Sequence, residues 1–185
     1  MTKENEMDEI CATYFVVGAG AMGMAFVDQV LHDDPECTVL LVDRYGSPGG
    51  HWTVAYPFVR LHQPSCAYGV NSMRLGSTDW VDPEELATGR EVGLLWSGLG
   101  DHTAPTQPPP PTPHPIHHKI CQYFLQVLGN FQSSGRVRWF PKCEGNIEGS
   151  TFTTAAGKSY SVVADKIVDA TYMKVEVPSV RFGRS

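Results

Sequence analysis

Residues 12–43 read ATYFVVGAGAMGMAFVDQVLHDDPECTVLLVD. The first six form a short apolar, β-branched and aromatic run that ends at glycine, which is typical of a buried parallel strand. Residues 21–31 place apolar side chains at helical spacing, and the polar stretch with proline at 32–35 ends that helix. Residues 38–42 form a second continuous apolar strand. The stretch predicts a β-α-β unit, and therefore an α/β fold with a parallel sheet.

The turn between that strand and that helix carries a G-x-G-x-x-G pattern, formed by Gly18, Ala19, Gly20, Ala21, Met22 and Gly23. In such a turn the first glycine permits a tight bend, the second lets backbone approach a pyrophosphate, and the third lets helix and strand pack closely. The phosphates would lie at the helix N-terminus, where unpaired amides and the helix dipole favour negative charge. The pattern predicts a dinucleotide site, with a chance glycine turn as the alternative.

The second strand is followed by an acid, Asp43, which lies 20 residues after Gly23. This is close to the spacing of the residue that accepts hydrogen bonds from ribose hydroxyls in dinucleotide-binding folds. A carboxylate there also disfavours a 2′-phosphate, because like charges repel. The bare pattern does not distinguish NAD from FAD.

The loop after the second strand, DRYGSPGGHW at residues 43–52, narrows the choice. Together with the glycine turn it resembles the glutathione-reductase-type flavoproteins, and among them the flavin-containing and Baeyer–Villiger monooxygenases. In that group a G-G-x-W element follows the second strand and lies beside the flavin. The resemblance implies FAD as the cofactor, with cofactor-binding roles for Arg44, Gly50, His51 and Trp52. An ordinary Gly-Gly turn with a core or exposed tryptophan is the alternative.

Two further segments extend the resemblance. Residues 55–72 occupy the place of a Tyr-Pro and arginine-containing loop under the flavin ring, which implies that Arg60, His62 and Gln63 contact the cofactor. The alternative is a hydrogen-bonded surface loop. Residues 166–172, KIVDATY, resemble the last strand of the FAD domain, which returns beside the first one. Ala170 and Thr171 match its Ala-Thr-Gly ending, so the resemblance implies cofactor-binding roles for both, whereas Tyr172 replaces the glycine.

We predict four segments: an N-terminal tail (1–11), a first part of an FAD-binding domain (12–100), a Pro/His-rich insert (101–118) and a second part (119–185). Seven of the 14 prolines lie between residues 105 and 115, which excludes helix and central strand, and we predict disorder there. The segment is most simply a solvated linker, and there are three alternatives. It could hold a zinc site through His114 with His117 or His118, act as a polyproline ligand for an SH3 or WW groove, or be retained non-coding sequence. We therefore predict no metal site.

After the insert, residues 119–131 place apolar side chains on one helical face. Short β-like runs follow at 136–140, 151–154, 160–163 and 166–168. Residues 144–171 predict a small antiparallel β-meander that feeds a last buried strand. Together with these elements, the resemblance implies an α/β fold of the Rossmann-like, three-layer FAD-binding type.

Composition limits the partners. The 185 residues carry a net charge of −6, so no basic surface for nucleic acid is evident. No apolar run approaches the ~20 residues of a membrane span, and the acidic N-terminus is not a secretory signal. The five cysteines are widely spread, which favours reduced thiols in the cytoplasm.

The function expected by resemblance is an FAD-dependent oxidoreductase, monooxygenase-like, acting on a small organic molecule, for example in a biosynthetic pathway. Only one glycine fingerprint is present and 14 residues follow Thr171. We therefore expect a truncated enzyme whose NADPH-binding and substrate parts come from a partner chain, with NADPH as the reductant. No catalytic residue is assigned. The alternative is a non-catalytic, degenerate dinucleotide-binding or interaction protein.

Overall fold

The structure of the protein is a computed structural model. It describes residues 7–55, 68–75 and 116–171, with side chains from residue 120 in the last range. Two helices and eight strands lie in these ranges, together with a 3₁₀ turn at Gly50–Val54. The helices are α1 (Ala21–Asp33) and α2 (Ile116–Ser133). The strands are β1 (Asp8–Val17), β2 (Val39–Asp43), β3 (Gly69–Val70), β4 (Met73–Arg74), β5 (Val137–Pro141), β6 (Cys143–Asn146), β7 (Thr151–Thr154) and β8 (Ser159–Asp169).

Six strands form one mixed sheet in the order β5-β2-β1-β8-β7-β6. The first four are parallel neighbours, because β1 pairs with both β2 and β8, and β2 pairs with β5. The last two are antiparallel and form the predicted meander with the start of β8. The predicted return of the last strand to a place beside the first is thus confirmed.

The helices cover one face of the sheet. Both contribute to a core in which Val16 and Leu41 from the strands pack with Met24 and Val27 of α1 and Phe124 of α2. The continuous apolar runs of the sequence supply the strand residues, and the stretches with apolar side chains at helical spacing supply the helix residues. Each of the five side chains is at most 5% exposed. Burial of each large apolar side chain stabilises the fold by about 1.5–3 kcal/mol.

The meander covers the opposite face. Phe15 and Leu40 of the parallel strands pack there with Phe152 of β7. A side chain at Gly145 of β6 would begin 2.7 Å from a methyl group of Val17, so β6 lies directly over the strand. The helices, the parallel strands and the antiparallel end of the same sheet, which covers the other face of those strands, make three layers. This confirms the predicted α/β fold.

A small β3–β4 hairpin is fastened to both helices. The Tyr123 hydroxyl of α2 accepts a 2.6 Å hydrogen bond from the Val70 amide and donates to the Met73 carbonyl. The Asp28 carboxylate of α1, which is 5% exposed, accepts from the amide of Ser72 and from its hydroxyl. These polar groups are buried with their partners supplied, so they do not incur the cost of an unsatisfied group.

Two sequence-based boundaries were wrong at the central strands β1 and β8. β1 begins at Asp8, so residues 8–11 belong to the sheet and not to an N-terminal tail. The two runs predicted at 160–163 and 166–168 are one strand of 11 residues, β8. Pairing with β1 along the whole of β8 extends both strands through polar positions where apolar periodicity fails. β8 is also mostly half-buried or exposed, although a buried strand was predicted.

The boundary of the Pro/His-rich insert was also wrong. Helix α2 begins at Ile116, so residues 116–118 are helical and the helix starts three residues before its predicted beginning. Residues 101–115, with the proline cluster, lie outside the described residues. No helix within the described part of the chain is long and apolar enough to cross a membrane.

Candidate functional site

Three parallel strands end at one edge of the sheet, and their ends carry the residues that the sequence singled out. Gly18 follows β1, Asp43 ends β2, and Ala170 follows β8. Helix α1 begins at the same edge. In open parallel α/β sheets, ligands bind at the carboxyl ends of the strands. The fold thus brings the predicted fingerprint, acid and last-strand residues together.

The glycine turn is packed so tightly that no side chain fits at two of its positions, Gly18 and Gly23. A Cβ on Gly18, whose φ is +108°, would lie 2.6 Å from the Ala170 carbonyl oxygen. A Cβ on Gly23 would lie 2.0 Å from the Gly18 carbonyl oxygen. The Gly18 amide donates to the Val42 carbonyl at 2.8 Å, which ties the turn to β2. Gly18 therefore permits the tight bend, and Gly23 permits close packing of helix on strand, as the pattern predicts.

Within the described part of the chain, no side chain caps the N-terminus of α1. Gly20 is its N-cap residue, makes no side-chain capping bond, and is followed by no acidic residue in the first turn. The first amides of a helix have no intrahelical acceptor. Ala21 and Met22 of this turn are exposed, with Met22 at 77%. The arrangement suits an anion, because amide donors and the positive end of the helix dipole meet there.

The Gly-Gly element lies directly against the fingerprint. The Gly49 amide donates to the Ala19 carbonyl at 2.9 Å. A Cβ on Gly50, whose φ is +58°, would lie 2.9 Å from Cα of Gly20. The two backbones cross without side chains between them, and the Thr53 hydroxyl holds the Gly50 carbonyl at 2.7 Å.

Asp43 is buried at 6% exposure and both of its carboxylate oxygens accept backbone hydrogen bonds. One oxygen accepts from the Ala19 amide at 2.6 Å and the other from the Tyr45 amide at 2.7 Å. The acid therefore fixes the glycine turn to the end of β2. Each carboxylate oxygen can accept more than one hydrogen bond, so the predicted contact with ribose hydroxyls is compatible with these two.

His51 and Trp52 lie in the 3₁₀ turn beside the glycines. Their rings are neighbours, with centroids 4.8 Å apart. Trp52 is half-buried and packs against the helix-side core, whereas His51 is exposed. Trp52 thus anchors the turn.

Arg44 follows Asp43 and lies at the outer side of the site. Its guanidinium group lies 5.8 Å from the centroid of the Tyr45 ring. It lines an open cavity of about 510 Å³ between the end of β2 and the meander, with Tyr45, Gly46, Lys142, Glu144, Thr153, Thr154 and Ala155.

The end of β8 supplies Asp169, a residue that the sequence did not single out. Ala170 and Thr171 lie against the glycine turn, and the Ala170 amide donates to the Val17 carbonyl at 2.9 Å. Asp169 accepts hydrogen bonds from both the amide and the hydroxyl of Thr171, at 2.9 and 2.6 Å. The sequence D-A-T is a local signal for this arrangement, because aspartate commonly accepts from the backbone two residues ahead.

Several predicted residues cannot be placed. Arg60, His62 and Gln63 lie outside the described residues, as does Tyr172. Among the residues that the structure describes, no group of three or more His, Cys, Asp or Glu side chains is arranged to hold a metal ion.

The cysteines of the described ranges are free thiols. Burial raises the pKa of the Cys37, Cys121 and Cys143 thiols, so they stay protonated and unreactive near neutral pH. Cys121 lies beside the Gly-Gly element, with its Sγ 3.2 Å from where a Cβ on Gly49 would be. We assign these thiols to packing.

Comparisons with known proteins give relatives by sequence and by fold. No protein-family model matches the chain. Uncharacterized proteins of Mycobacterium bovis and Mycobacterium tuberculosis are 44% identical over 171 residues, which is 91% of this chain and 27% of theirs. The chain thus spans about a quarter of the length of the curated relatives it matches.

Solved structures share the architecture at low sequence identity. A flavin-containing monooxygenase from Stenotrophomonas maltophilia is 16% identical with a TM-score of 0.50, over 89% of this chain and 39% of that one. The S-allyl-L-cysteine S-oxygenase from Allium sativum is 14% identical with a TM-score of 0.50, over 86% of this chain and 36% of that one. The chain shares their fold. This likeness extends to architecture alone.

Proposed function

We propose that the chain binds FAD at the Gly18–Gly23 turn and forms the FAD-binding part of a flavin-dependent, monooxygenase-like oxidoreductase. One observation carries the proposal: three parallel strand ends and a Gly-Gly turn converge on a helix N-terminus that no side chain of the described residues caps. A chance glycine turn in a β-α-β unit would not require the second Gly-Gly element to cross it.

The residues present fit a dinucleotide. The crossing at Gly20 and Gly50 leaves backbone without side chains at the helix start. The amides of the first turn of α1 would hold the pyrophosphate, and Asp43 would accept from ribose hydroxyls. Arg44, His51 and Trp52 border the same edge and would line the remainder of the site. The fit rests on the free amides of the first turn of α1, on the Asp43 carboxylate, and on the absence of side chains at the Gly20 and Gly50 crossing.

FAD when bound would supply the redox chemistry, and this chain's part is to bind and orient it. Asp43, which is buried and accepts two backbone hydrogen bonds, and Gly18, which packs closely against Ala170, hold the turn in one conformation before the cofactor binds. Such preorganisation lowers the ordering cost of binding. We assign no catalytic acid, base or nucleophile to the described residues.

The remaining functions belong to further polypeptide in this proposal. The chain matches 27% of its curated relatives, so regions comparable to their other parts would supply NADPH binding and the substrate pocket. The substrate class we propose is a small organic molecule, and the free thiols support a cytoplasmic location.

Purification tests the cofactor first. The protein should be yellow, and denaturation should release FAD that is identified by chromatography. Protein that is colourless and takes up no added FAD would refute the proposal. Anaerobic NADPH addition then tests the role: flavin that stays oxidised indicates a holder that needs a partner reductase, whereas bleaching indicates that this chain reduces its own cofactor.

A further inference from the structure

The end of β8 bears a carboxylate whose task is not explained by the fold alone. Asp169 is exposed, yet one of its oxygens, Oδ1, accepts from both donors of Thr171, at 2.9 Å from the amide and 2.6 Å from the hydroxyl. These two hydrogen bonds hold the pKa of the Asp169 carboxyl below its ordinary value, so the group is charged throughout the neutral range.

The turn at residues 169–171, which the Asp169–Thr171 hydrogen bonds stabilise, packs directly against the glycine turn of the site. Between Asp169 and Thr171 lies Ala170, whose carbonyl oxygen is 2.6 Å from where a Cβ on Gly18 would be. The Ala170 methyl group is 3.2 Å from where a Cβ on Gly23 would be. A shift of Ala170 would therefore displace both glycines or open a gap beside them.

We infer that Asp169 is a positioning residue of the dinucleotide site, which fixes the Ala170–Thr171 turn and through it the glycine turn. This inference rests on the proposed function. A corollary concerns Thr171, for which resemblance implied a cofactor contact. Both of its donors are engaged by Asp169, so Thr171 serves the site through the conformation of its backbone and not as a hydrogen-bond donor to the ligand.

Charge and geometry make opposite predictions for this residue. A carboxylate near a pyrophosphate opposes its binding, so a residue that acted through charge alone would strengthen binding when neutralised. A positioning residue weakens binding when its acceptor is lost, whatever its charge. Asp169→Asn keeps an acceptor oxygen and removes the charge, whereas Asp169→Ala removes both.

FAD titration of four proteins separates the two roles. We expect Asp169→Ala to bind FAD about tenfold more weakly, and Asp169→Asn to stay within about threefold of the parent. Asp165→Ala is the matched control, because Asp165 is an exposed aspartate of the same strand, and its affinity should not change. Equal affinities for Asp169→Ala and the parent, or equal losses for the Ala and Asn variants, would overturn the inference.

A double-mutant cycle tests the specific pair. Thr171→Val removes the hydroxyl donor and keeps the amide. We expect it to weaken FAD binding less than Asp169→Ala does, and to add little in the double variant, since both act on one contact. If the two losses of FAD binding energy are fully additive, the effect of Asp169 on FAD binding does not pass through its contact with Thr171.

Amide hydrogen exchange without ligand keeps this test separate from that of the proposed function. Faster exchange at Gly18 and Ala19 in Asp169→Ala than in Asp169→Asn or Asp165→Ala supports the positioning role. Unchanged exchange at these amides overturns it. A parent protein that binds no FAD refutes the proposed function and the cofactor part of this inference, while the exchange result still decides whether Asp169 orders the turn.

Discussion

The carboxylate of Asp43 accepts a 2.6 Å hydrogen bond from the amide of Ala19, 24 residues earlier in the chain. The bond joins the end of β2 to the glycine turn after β1, and it is buried. A second bond from the Tyr45 amide occupies the other oxygen. The acid expected to recognise ribose is thus also a structural tie that shapes the turn.

Replacement of Asp43 should therefore affect stability and binding together. In Asp43→Ala the buried amide of Ala19 and the half-buried amide of Tyr45 lose their acceptor. A buried group left unsatisfied costs about 1–3 kcal/mol, and the half-buried amide, which water can reach, costs less. We expect a lower free energy of unfolding in urea and at least tenfold weaker FAD binding. Asp43→Asn keeps one acceptor oxygen and should lie between Asp43→Ala and the parent. Unchanged FAD affinity in Asp43→Ala would refute the assigned role.

Gly18 offers a steric test of the same turn. Gly18→Ala would place a methyl group 2.6 Å from a backbone carbonyl, in addition to the strain of its φ of +108°. The matched control is Gly135→Ala, because Gly135 has a φ of +73° and nothing within 4 Å of the added Cβ. We expect the control to lose roughly 1–2 kcal/mol from strain alone, and Gly18→Ala to lose clearly more. Similar melting temperatures for the two variants would contradict the packing described for Gly18.

Arg136 gives a test away from the site. Its guanidinium group donates to the carbonyls of Leu31 and Asp34, each at 2.8 Å, and so satisfies the C-terminal end of α1. Charged donors at a helix C-terminus also interact favourably with the helix dipole. Arg136→Met should lower the free energy of unfolding by about 1.5–3 kcal/mol in urea denaturation, with FAD affinity per folded molecule unchanged. Arg136→Lys should recover part of the lost stability. Equal free energies of unfolding for Arg136→Met and the parent would contradict the capping role of Arg136.

Thiol reactivity tests the burial pattern of the core. Cys11 is exposed, while burial raises the pKa of Cys37 and Cys143 above the ordinary value of 9.0. At pH 7.5, iodoacetamide should modify Cys11 first and reach the other two only after unfolding, as mass spectrometry of digests would reveal. Because the folded state holds these protons more tightly, their contribution to stability is complete below the ordinary pKa and is lost as pH rises through the raised one. Rapid modification of Cys37 or Cys143 in native protein would contradict this packing.

The fold could be predicted where local sequence sets the structure. β2 and the end of β1 are continuous apolar runs buried by helices and meander, and the steric demands of Gly18 and Gly23 follow from the turn itself. β8 could not be read as one strand because Ala164 and Asp165 separate the two short runs that the sequence predicts. Pairing with β1, which sequence does not display, carries the strand through them.

The candidate site divides in the same way. The residue types at its centre were predicted, since the glycine pattern and the acid follow one another at a fixed spacing. The tie from Asp43 to Ala19 and the crossing of Gly50 over Gly20 depend on how strand ends meet in space, so no sequence pattern gives them. The predicted contacts of Arg60, His62 and Gln63 stay predictions.

The most direct test of a dinucleotide at the Gly18–Gly23 turn is titration of the cofactor-stripped protein with FAD, FMN and ADP. Flavin fluorescence monitors the two flavins, and calorimetry monitors all three ligands. We predict saturable binding of one FAD per chain, displacement by ADP, and much weaker binding of FMN, which lacks the AMP half of FAD and with it one of the two phosphates that the turn would hold. Absence of saturable FAD binding by the folded protein, or FAD binding that ADP does not displace, would contradict the account.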